Sequence, residues 1–174
     1  MDTFSIKKIG KEDVDTLRTI SINTFRETFE ASNTAENMEH YIATCLNKEQ
    51  LLREMANEHS AFYFAYANDH DLTGYLKINY GPAQTDLNDD ASLEVERIYI
   101  LKSFQGKNAG RFLFRKALEI AREMPAKYVW LGVWEHNHKA IQFYEKHHFY
   151  PFSQHVFKLG DDEQTDILMR LDFE

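Results

Sequence analysis

Hydrophobic and polar positions repeat with two different periods along this chain, and the period changes partway along it. In the first part, residues 11–30 carry apolar and small side chains at helical spacing, which predicts a long amphipathic helix. The positions on this face are Val14, Leu17, Ser21, Phe25 and Phe29. A short strand over 3–9 precedes this helix. Two shorter helices follow it: Asn33 starts one as the N-cap of a capping box, and Asn47 caps another that extends to residue 58.

The second part of the chain predicts strands, interrupted by two helices. An aromatic-rich stretch at 60–67 and the stretch at 72–80 flank turn-forming residues at 68–71, so the two stretches predict a hairpin. A continuous apolar run at 128–134 is typical of a strand buried on both faces. The other predicted elements are strands at 92–100, 149–158 and 164–171 and helices at 106–123 and 139–147.

The order of these elements predicts the fold class. A strand–helix–strand unit needs a crossover connection, so parallel strands are expected at the centre of a mixed sheet. The predicted class is α+β, or α/β in the broad sense, with helices on both faces of the sheet. A chain of 174 residues without linker-like stretches is expected to form one domain over 1–174.

Charge and cysteine content narrow the classes of function. The formal net charge of -8 disfavours nucleic acid as a partner, because binding to phosphates needs clustered Lys and Arg. The same charge fits a cationic substrate or plain solubility. The apolar runs are too short to cross a bilayer, the N-terminus lacks a signal-peptide core, and the single cysteine, Cys45, favours a cytoplasmic location. The pairs His136/His138 and His147/His148 lack the further ligands of a metal site, so no metal is expected.

One loop has the features of an anion site. Residues 105–111 read Gln-Gly-Lys-Asn-Ala-Gly-Arg and lie between a predicted strand and a predicted helix. The first turn of a helix has free N–H groups and the positive end of the helix dipole, and Lys107 and Arg111 add charge. The glycines are wrongly placed for a Walker A loop or for a dinucleotide-binding GxGxxG. Taken alone, the loop fits an ordinary start of a helix equally well.

A second motif gives this loop a context. The loop follows the pattern Gln/Arg-x-x-Gly-x-Gly/Ala, and a second pattern, Asn-x-x-Ala-x-x-Phe-Tyr-x-x-x-Gly-Phe, follows it at a matching separation. The residues that match the second pattern are Asn137, Ala140, Phe143, Tyr144 and Phe149. Through these two motifs the chain resembles the GNAT superfamily of N-acetyltransferases. The stretches at 25–29, 36–37, 131–135 and 160–166 extend the resemblance to PaiA-type spermidine/spermine N-acetyltransferases over nearly the whole chain.

The resemblance implies a fold and an activity. The implied fold is a mainly antiparallel sheet with one splayed pair of parallel strands. The implied activity is transfer of an acetyl group from acetyl-CoA to a primary amine, with a polyamine as the leading acceptor. A protein N-terminus, a lysine or another small amine is the alternative acceptor, and a non-catalytic acyl-CoA sensor is the alternative class. The sequence leaves monomer and homodimer open.

Two residues depart from the motifs, because Asn108 and His148 stand where the family has glycine. Glycine is common at such positions because it accepts a positive φ, and Asn and His are among the other residues enriched there. We therefore expect both residues to keep the glycine-like backbone. Asn108 also brings a side chain close to the implied pyrophosphate site, and His148 is expected just after a helix end.

Three residues are candidates for catalysis. The resemblance places Tyr144 beside the cofactor sulfur as a general acid, although its helical spacing also fits an aromatic core residue. Glu94 and Glu96 are candidates for a base or water relay, since they alternate on one strand and are expected to share a face with Ile98 and Ile100. An outward-facing polar row is the alternative, and the sequence does not choose between the two glutamates.

The resemblance also implies two sets of binding residues. The acceptor is expected against Phe25, Phe29, Trp134 and Glu135, near the acidic loop 86–90, although each aromatic residue fits a core position equally well. The residues implied to contact acetyl-CoA are Ile98, Tyr99, Ile100, Gln105, Gly106, Lys107, Asn108, Ala109, Gly110, Arg111, Asn137, Lys139, Ala140, Tyr144 and Lys146.

Overall fold

Seven strands form one sheet in the computed structural model, which describes residues 2–174. The strands are β1 (Phe4–Lys8), β2 (Ser60–Ala67), β3 (Asp71–Tyr80), β4 (Ser92–Ile100), β5 (Tyr128–Trp134), β6 (Tyr150–Leu159) and β7 (Asp162–Asp172). The helices are α1 (Val14–Phe29), α2 (Ala35–Cys45), α3 (Lys48–Met55), α4 (Ala109–Glu123) and α5 (His138–Lys146). Across the sheet the strands follow the order β1-β2-β3-β4-β5-β7-β6.

The direction of the strands confirms the predicted mixed sheet. Every neighbouring pair is antiparallel except β4 and β5, which are parallel and are connected by the crossover helix α4. A parallel pair cannot be joined by a tight turn, so β4 and β5 need a crossover connection, which α4 supplies. The predicted α+β class with one parallel pair is therefore confirmed.

Helices cover both faces of the sheet, as predicted. On one face α1 and α3 bury Leu17 and Leu51 against Phe64 of β2. On the other face α4 buries Leu113 and Phe114 against strands β3 to β5. Each of these side chains is almost fully removed from water, which stabilises the fold by about 1.5–3 kcal/mol per residue. No helix within residues 2–174 is both long enough and apolar enough to span a membrane.

The structure corrects two of the predicted helix starts. Thr34, not Asn33, is the N-cap of α2: its hydroxyl accepts the Asn37 amide at 3.2 Å, while the Asn33 amide group donates back to the Phe29 carbonyl. Helix α4 begins at Ala109 and not at residue 106, because Asn108 has a left-handed backbone that cannot continue a helix. The cap at Asn47 is confirmed, and α3 ends at Met55, three residues before the predicted end.

A β-bulge in β4 changes which side chains share a face. Lys77 of β3 pairs with Arg97 and the next residue pairs with Val95, so Glu96 is the extra residue of the bulge. The bulge shifts the alternation by one position. Leu93, Val95, Ile98 and Ile100 consequently face the α4 side, and Glu94, Arg97 and Tyr99 face the other. The prediction that the two glutamates share a face with Ile98 and Ile100 is wrong for this reason.

Candidate active site

The two parallel strands at the centre of the sheet separate toward their carboxyl ends. Their pairing ends at Glu94 and Trp130, one residue before the stretch that the bulge bends. A cavity of about 180 Å³, here called the passage, fills the gap beyond this point. The passage shares Ile98, Ile100 and Tyr144 with a cavity on the α4 side.

A second cavity meets the passage on the opposite face of the sheet. This cavity shares Phe29, Glu96 and Trp134 with the passage. We call the cavity on the α4 side the loop-side cavity, with a volume of about 660 Å³, and the opposite one the aromatic cavity, with a volume of about 460 Å³. The passage thus connects two larger cavities through the sheet.

The loop-side cavity brings together most of the residues that were expected to hold the cofactor. Phe143 and His147 line it as well; the sequence reasoning had not included them, although they follow Lys139 at spacings of four and eight residues on one helix face. The expected residues that line this cavity are Ile98, Ile100, Gln105, Gly106, Asn108, Gly110, Arg111, Asn137, Lys139, Ala140, Tyr144 and Lys146.

Three of the expected cofactor residues have side chains elsewhere. The Lys107 ammonium lies over the Phe104 ring, 5.3 Å from its centroid. Ala109 is buried as the first residue of α4. Tyr99 faces the aromatic cavity and stacks on Tyr75, because the bulge turns it away from the loop-side cavity. Any contact of Ala109 with the cofactor would come from the backbone.

The loop at 105–111 is shaped to bind an anion. Gly106 and Asn108 have φ values of 79° and 69°, so the predicted glycine-like backbone of Asn108 is confirmed. Within residues 2–174, the amides of Gly106 and of residues 108–111 have no hydrogen-bond acceptor in the protein. These free N–H groups, at the positive end of α4 and beside Arg111, suit a pyrophosphate.

A helix ending fixes the position of Tyr144. The amide of Phe149 donates to the Tyr144 carbonyl at 3.0 Å, and the amide of His148 donates to the Glu145 carbonyl at 3.0 Å. This pair of bonds is a Schellman motif, which needs a left-handed residue after the helix. His148 supplies it with φ 68°, as the sequence predicts. The Phe149 ring packs 5.9 Å from the Tyr144 ring and completes the motif.

Tyr144 is buried where the loop-side cavity meets the passage. It is 8% exposed and packs against Phe114, with ring centroids 5.8 Å apart. Burial raises the pKa of the Tyr144 phenol well above its usual range, so the hydroxyl is protonated at neutral pH. Tyr144 therefore packs in the core and also lines the passage. An aromatic core residue and a residue beside the cofactor, the two interpretations of the sequence, are compatible at this position.

Aromatic rings and carboxylates form the aromatic cavity. Phe25, Phe29 and Trp134 line it as expected, and Phe25 stacks on Tyr41 with ring centroids 4.4 Å apart. Glu135 lines none of the three cavities; it points toward His136. Lining residues that the sequence reasoning missed are Tyr41, Thr85, Arg97, Trp130, Gly132, His155, Phe157, Lys158, Leu159, Gln164, Asp166 and Leu168.

Glu94 is a buried carboxylate with three hydrogen-bond donors. It is 2% exposed, and it accepts the Thr85 amide and hydroxyl at 2.9 and 2.5 Å and the Asn79 amide group at 3.0 Å. Burial raises the pKa of Glu94, and the hydrogen bonds oppose this shift only in part. A carboxylate has about four acceptor positions, so one remains free to face the cavity.

Glu96 belongs to a buried network of charges instead. Its carboxylate lies 2.5 Å from the Lys77 ammonium and 3.3 Å from the Arg97 guanidinium. Glu54 of α3 binds the same two cations, with both nitrogens of the guanidinium paired at 2.8 and 3.1 Å. Two cations therefore face two carboxylates in this network, and each carboxylate is paired with both cations. Asn79 donates to both Glu94 and Glu96 and links the network to the first glutamate.

An anion-binding loop on one face and a carboxylate-lined cavity on the other, joined through a split parallel pair, fit a transferase that brings a phosphate-bearing cofactor and a second substrate together. The chain belongs to the acetyltransferase (GNAT) family, whose profile matches residues 17–149. It is accordingly an N-acetyltransferase that uses acetyl-CoA. The free amides and cations of the loop-side cavity fit the phosphates of that cofactor.

Several relatives share nearly the whole chain. An uncharacterized N-acetyltransferase from the pepI 3' region of Lactobacillus delbrueckii subsp. lactis is 41% identical over 170 residues, which is 98% of each chain. The spermidine N(1)-acetyltransferase of Thermoplasma acidophilum is 24% identical over 176 residues, covering 99% of each chain. The crystal structure of the PaiA N-acetyltransferase from Thermoplasma acidophilum with coenzyme A has the same fold, with a TM-score of 0.78, 23% identity and coverage of 98% and 99%.

Proposed function

We propose that this N-acetyltransferase acetylates a primary amine of a polyamine such as spermidine or spermine. The observation that carries this proposal is the composition of the aromatic cavity. Four carboxylates line it against two side chains of the basic residues Arg97 and Lys158; the carboxylates belong to Asp86, Glu94, Glu96 and Asp166. A cavity with this excess of negative charge attracts a cation with more than one ammonium group.

The walls of the cavity also suit such an acceptor. Phe25, Tyr41 and Trp134 offer apolar faces to the methylene segments between nitrogens, and aromatic faces attract ammonium groups directly. The relative from Thermoplasma acidophilum, named for its action on spermidine, matches over nearly the whole chain and supports the same acceptor. The cytoplasmic location stays a prediction that depends on the single Cys45.

Glu94 is the proposed base or water relay. The attacking amine must be neutral, whereas alkylamines are mostly protonated at neutral pH. A base works best when its pKa lies near the working pH, and burial moves the pKa of Glu94 in that direction. Glu96 is already paired with Lys77 and Arg97, so its proposed task is to attract the ammonium group of the acceptor rather than to act as the base.

Tyr144 is the proposed partner of the departing sulfur. The residue lies on the wall that the loop-side cavity and the passage have in common. The raised pKa keeps the phenol protonated, but it also exceeds the thiol pKa of about 8.5, so full transfer to a free thiolate is uphill. Tyr144 would therefore act first as a hydrogen-bond donor to the developing negative charge, and pass on its proton as one is returned from the amine.

A panel of amines tests the acceptor. Release of CoA thiol is measured with spermine, spermidine, diamines, a monoamine, an aminoglycoside and a peptide with a free N-terminus, and products are identified by mass spectrometry. We expect the highest kcat/KM with spermidine or spermine. Turnover restricted to peptides, or tight binding of CoA without acetylation of any amine, would remove the polyamine proposal.

A cationic antibiotic is the second candidate acceptor, because one match favours it. The streptothricin acetyltransferase of Streptomyces lavendulae is 32% identical over 87 residues, which is 50% of this chain and 43% of that protein. Including streptothricin in the panel decides between the two. A kcat/KM for streptothricin above that for spermidine would make the antibiotic the preferred acceptor.

A further inference from the structure

The four carboxylates of the aromatic cavity differ in the hydrogen-bond donors and cations that the protein places beside them. Glu94 accepts three hydrogen bonds, and Glu96 lies against two buried cations. Asp86 forms an ion pair with His155 at 2.7 Å when the imidazole is protonated. Asp166 alone accepts no hydrogen bond and forms no ion pair within the described residues 2–174.

Asp166 lies on β7, the strand between β5 and the edge strand β6. Its neighbours in register are Trp134 on β5 and His155 on β6, so the three side chains form a row across the cavity wall. Gly132 of β5 lies directly beside the carboxylate, because a Cβ atom at that glycine would lie 3.4 Å from Oδ2 of Asp166. Trp134 and Gly132 also line the passage, which places Asp166 close to it.

A carboxylate in this setting lacks the partner that such groups usually have. Partly buried charges are costly unless they are paired, and proteins normally supply a cation or several hydrogen-bond donors. Burial and the neighbouring Asp86 raise the pKa of Asp166 to about 6, although His155 opposes the shift. An ammonium group from a ligand would supply the missing partner and favour the ionised form.

We propose that Asp166 is a specificity-determining residue that binds an ammonium group of the acceptor other than the amine that is acetylated. This inference rests on the proposed polyamine function and names the residue that distinguishes polyamines from monoamines. The row from Trp134 to His155 would hold the second nitrogen beside the passage, with the aromatic rings along the methylene segment between the two nitrogens.

The test compares a polyamine with a monoamine in the same enzyme. We measure kcat/KM of wild type and of Asp166→Asn with spermidine and with n-butylamine. Removing a partly buried charge that binds a ligand cation costs on the order of 30-fold in affinity, so the spermidine-to-butylamine ratio should fall about 10-fold or more, mainly through KM for spermidine. Asp71→Asn is the matched control, because it removes the same charge from an exposed turn at the start of β3.

The possible outcomes separate this inference from the function it rests on. A wild-type enzyme that prefers spermidine, with an unchanged ratio in Asp166→Asn, overturns the role of Asp166 and leaves the polyamine function intact. An equal loss with both amines also overturns it, because a residue acting as the base would affect every acceptor. A wild-type enzyme that acetylates no polyamine overturns both proposals.

A second variant guards against a folding defect. Asp166→Glu keeps the charge and moves it by one methylene, so its spermidine-to-butylamine ratio should lie between those of wild type and Asp166→Asn. Affinity for CoA, measured by calorimetry, reports on the loop-side cavity and should match wild type in both variants. A ratio for Asp166→Glu as low as that for Asp166→Asn would contradict binding through the charge.

Discussion

The two cavities that meet at the passage are built in different ways. The loop-side cavity takes its lining from two short segments, 98–111 and 137–147. The aromatic cavity takes its lining from two helices, the loop at 85–86 and four strands, which are distant from one another in the chain. In the first cavity backbone conformation sets the binding groups, whereas in the second side chains from remote segments set them.

This difference explains why the two halves of the site depend on different kinds of interaction. Free amides at a helix start require only the correct φ and ψ over a few residues, as at Gly106 and Asn108. A charged cavity wall requires partners that compensate each buried group, and these come from elsewhere in the fold, as Glu54 does for Arg97. We therefore expect the loop-side cavity to respond to local backbone changes and the aromatic cavity to the loss of distant partners.

The largest effect is expected at Tyr144, where the loop-side cavity meets the passage. Tyr144→Phe removes the hydroxyl and keeps the ring in the core, so kcat should fall by on the order of 10²–10⁴-fold while affinity for CoA changes little. Steady-state kinetics and calorimetry measure the two quantities. Tyr150→Phe is the control, since that exposed phenol bonds to Asp172 outside the three cavities. A normal kcat for Tyr144→Phe would remove the residue from the mechanism.

The next effect compares the two glutamates of β4. Glu96→Gln leaves Lys77 and Arg97 with one carboxylate fewer, so the free energy of unfolding should fall by about 3 kcal/mol. Glu94→Gln should cost less stability, because burial already disfavours the ionised form of Glu94, an amide oxygen still accepts from the Thr85 amide and from Asn79, and the Thr85 hydroxyl can turn to accept from the new amide group. Urea denaturation of both variants measures the difference.

Kinetics of the same two variants sharpen the comparison. If Glu94 is the base or relay, Glu94→Gln should lower kcat and Glu96→Gln should act mainly on stability and on KM for the amine. Equal free energies of unfolding for the two variants would contradict the distinction between Glu94, which is held by hydrogen bonds, and Glu96, which belongs to a network of charges. A normal kcat for Glu94→Gln would contradict its role in proton transfer.

The smallest effect is expected in the loop-side cavity. Asn108→Ala places a residue without local hydrogen-bonding groups at φ 69°, which costs roughly 1 kcal/mol, so binding of CoA should weaken several-fold. Asn108→Gly is the control, because glycine accepts this backbone freely, and its affinity should stay within about twofold of wild type. Calorimetric titration with CoA measures both. An equal loss in the two variants would point to the asparagine side chain rather than to its backbone.

Much of the fold was accessible from the pattern of the sequence, and the differences have local causes. The apolar run at β5 and the hairpin of β2 and β3 were placed correctly, because strand burial and turn residues leave a strong local pattern. The N-cap at Thr34 was missed because Asn33, an equally good capping residue, bonds backward to Phe29. A bulge leaves no such pattern, so its effect on Glu94 and Glu96 was not predictable.

The sequence by itself determined the loop-side half of this enzyme. Its motifs are continuous, and the positive φ of Asn108 and His148 follows from which residues tolerate that backbone. Only the tertiary structure decided the other half. Asp166 lies more than 30 residues along the chain from Trp134 and more than 70 from Glu94, and sheet pairing with the bulge alone puts them on one wall. Whether a carboxylate on that wall has a cation or a hydrogen-bond donor beside it depends on residues from distant parts of the chain, which no local sequence pattern identifies.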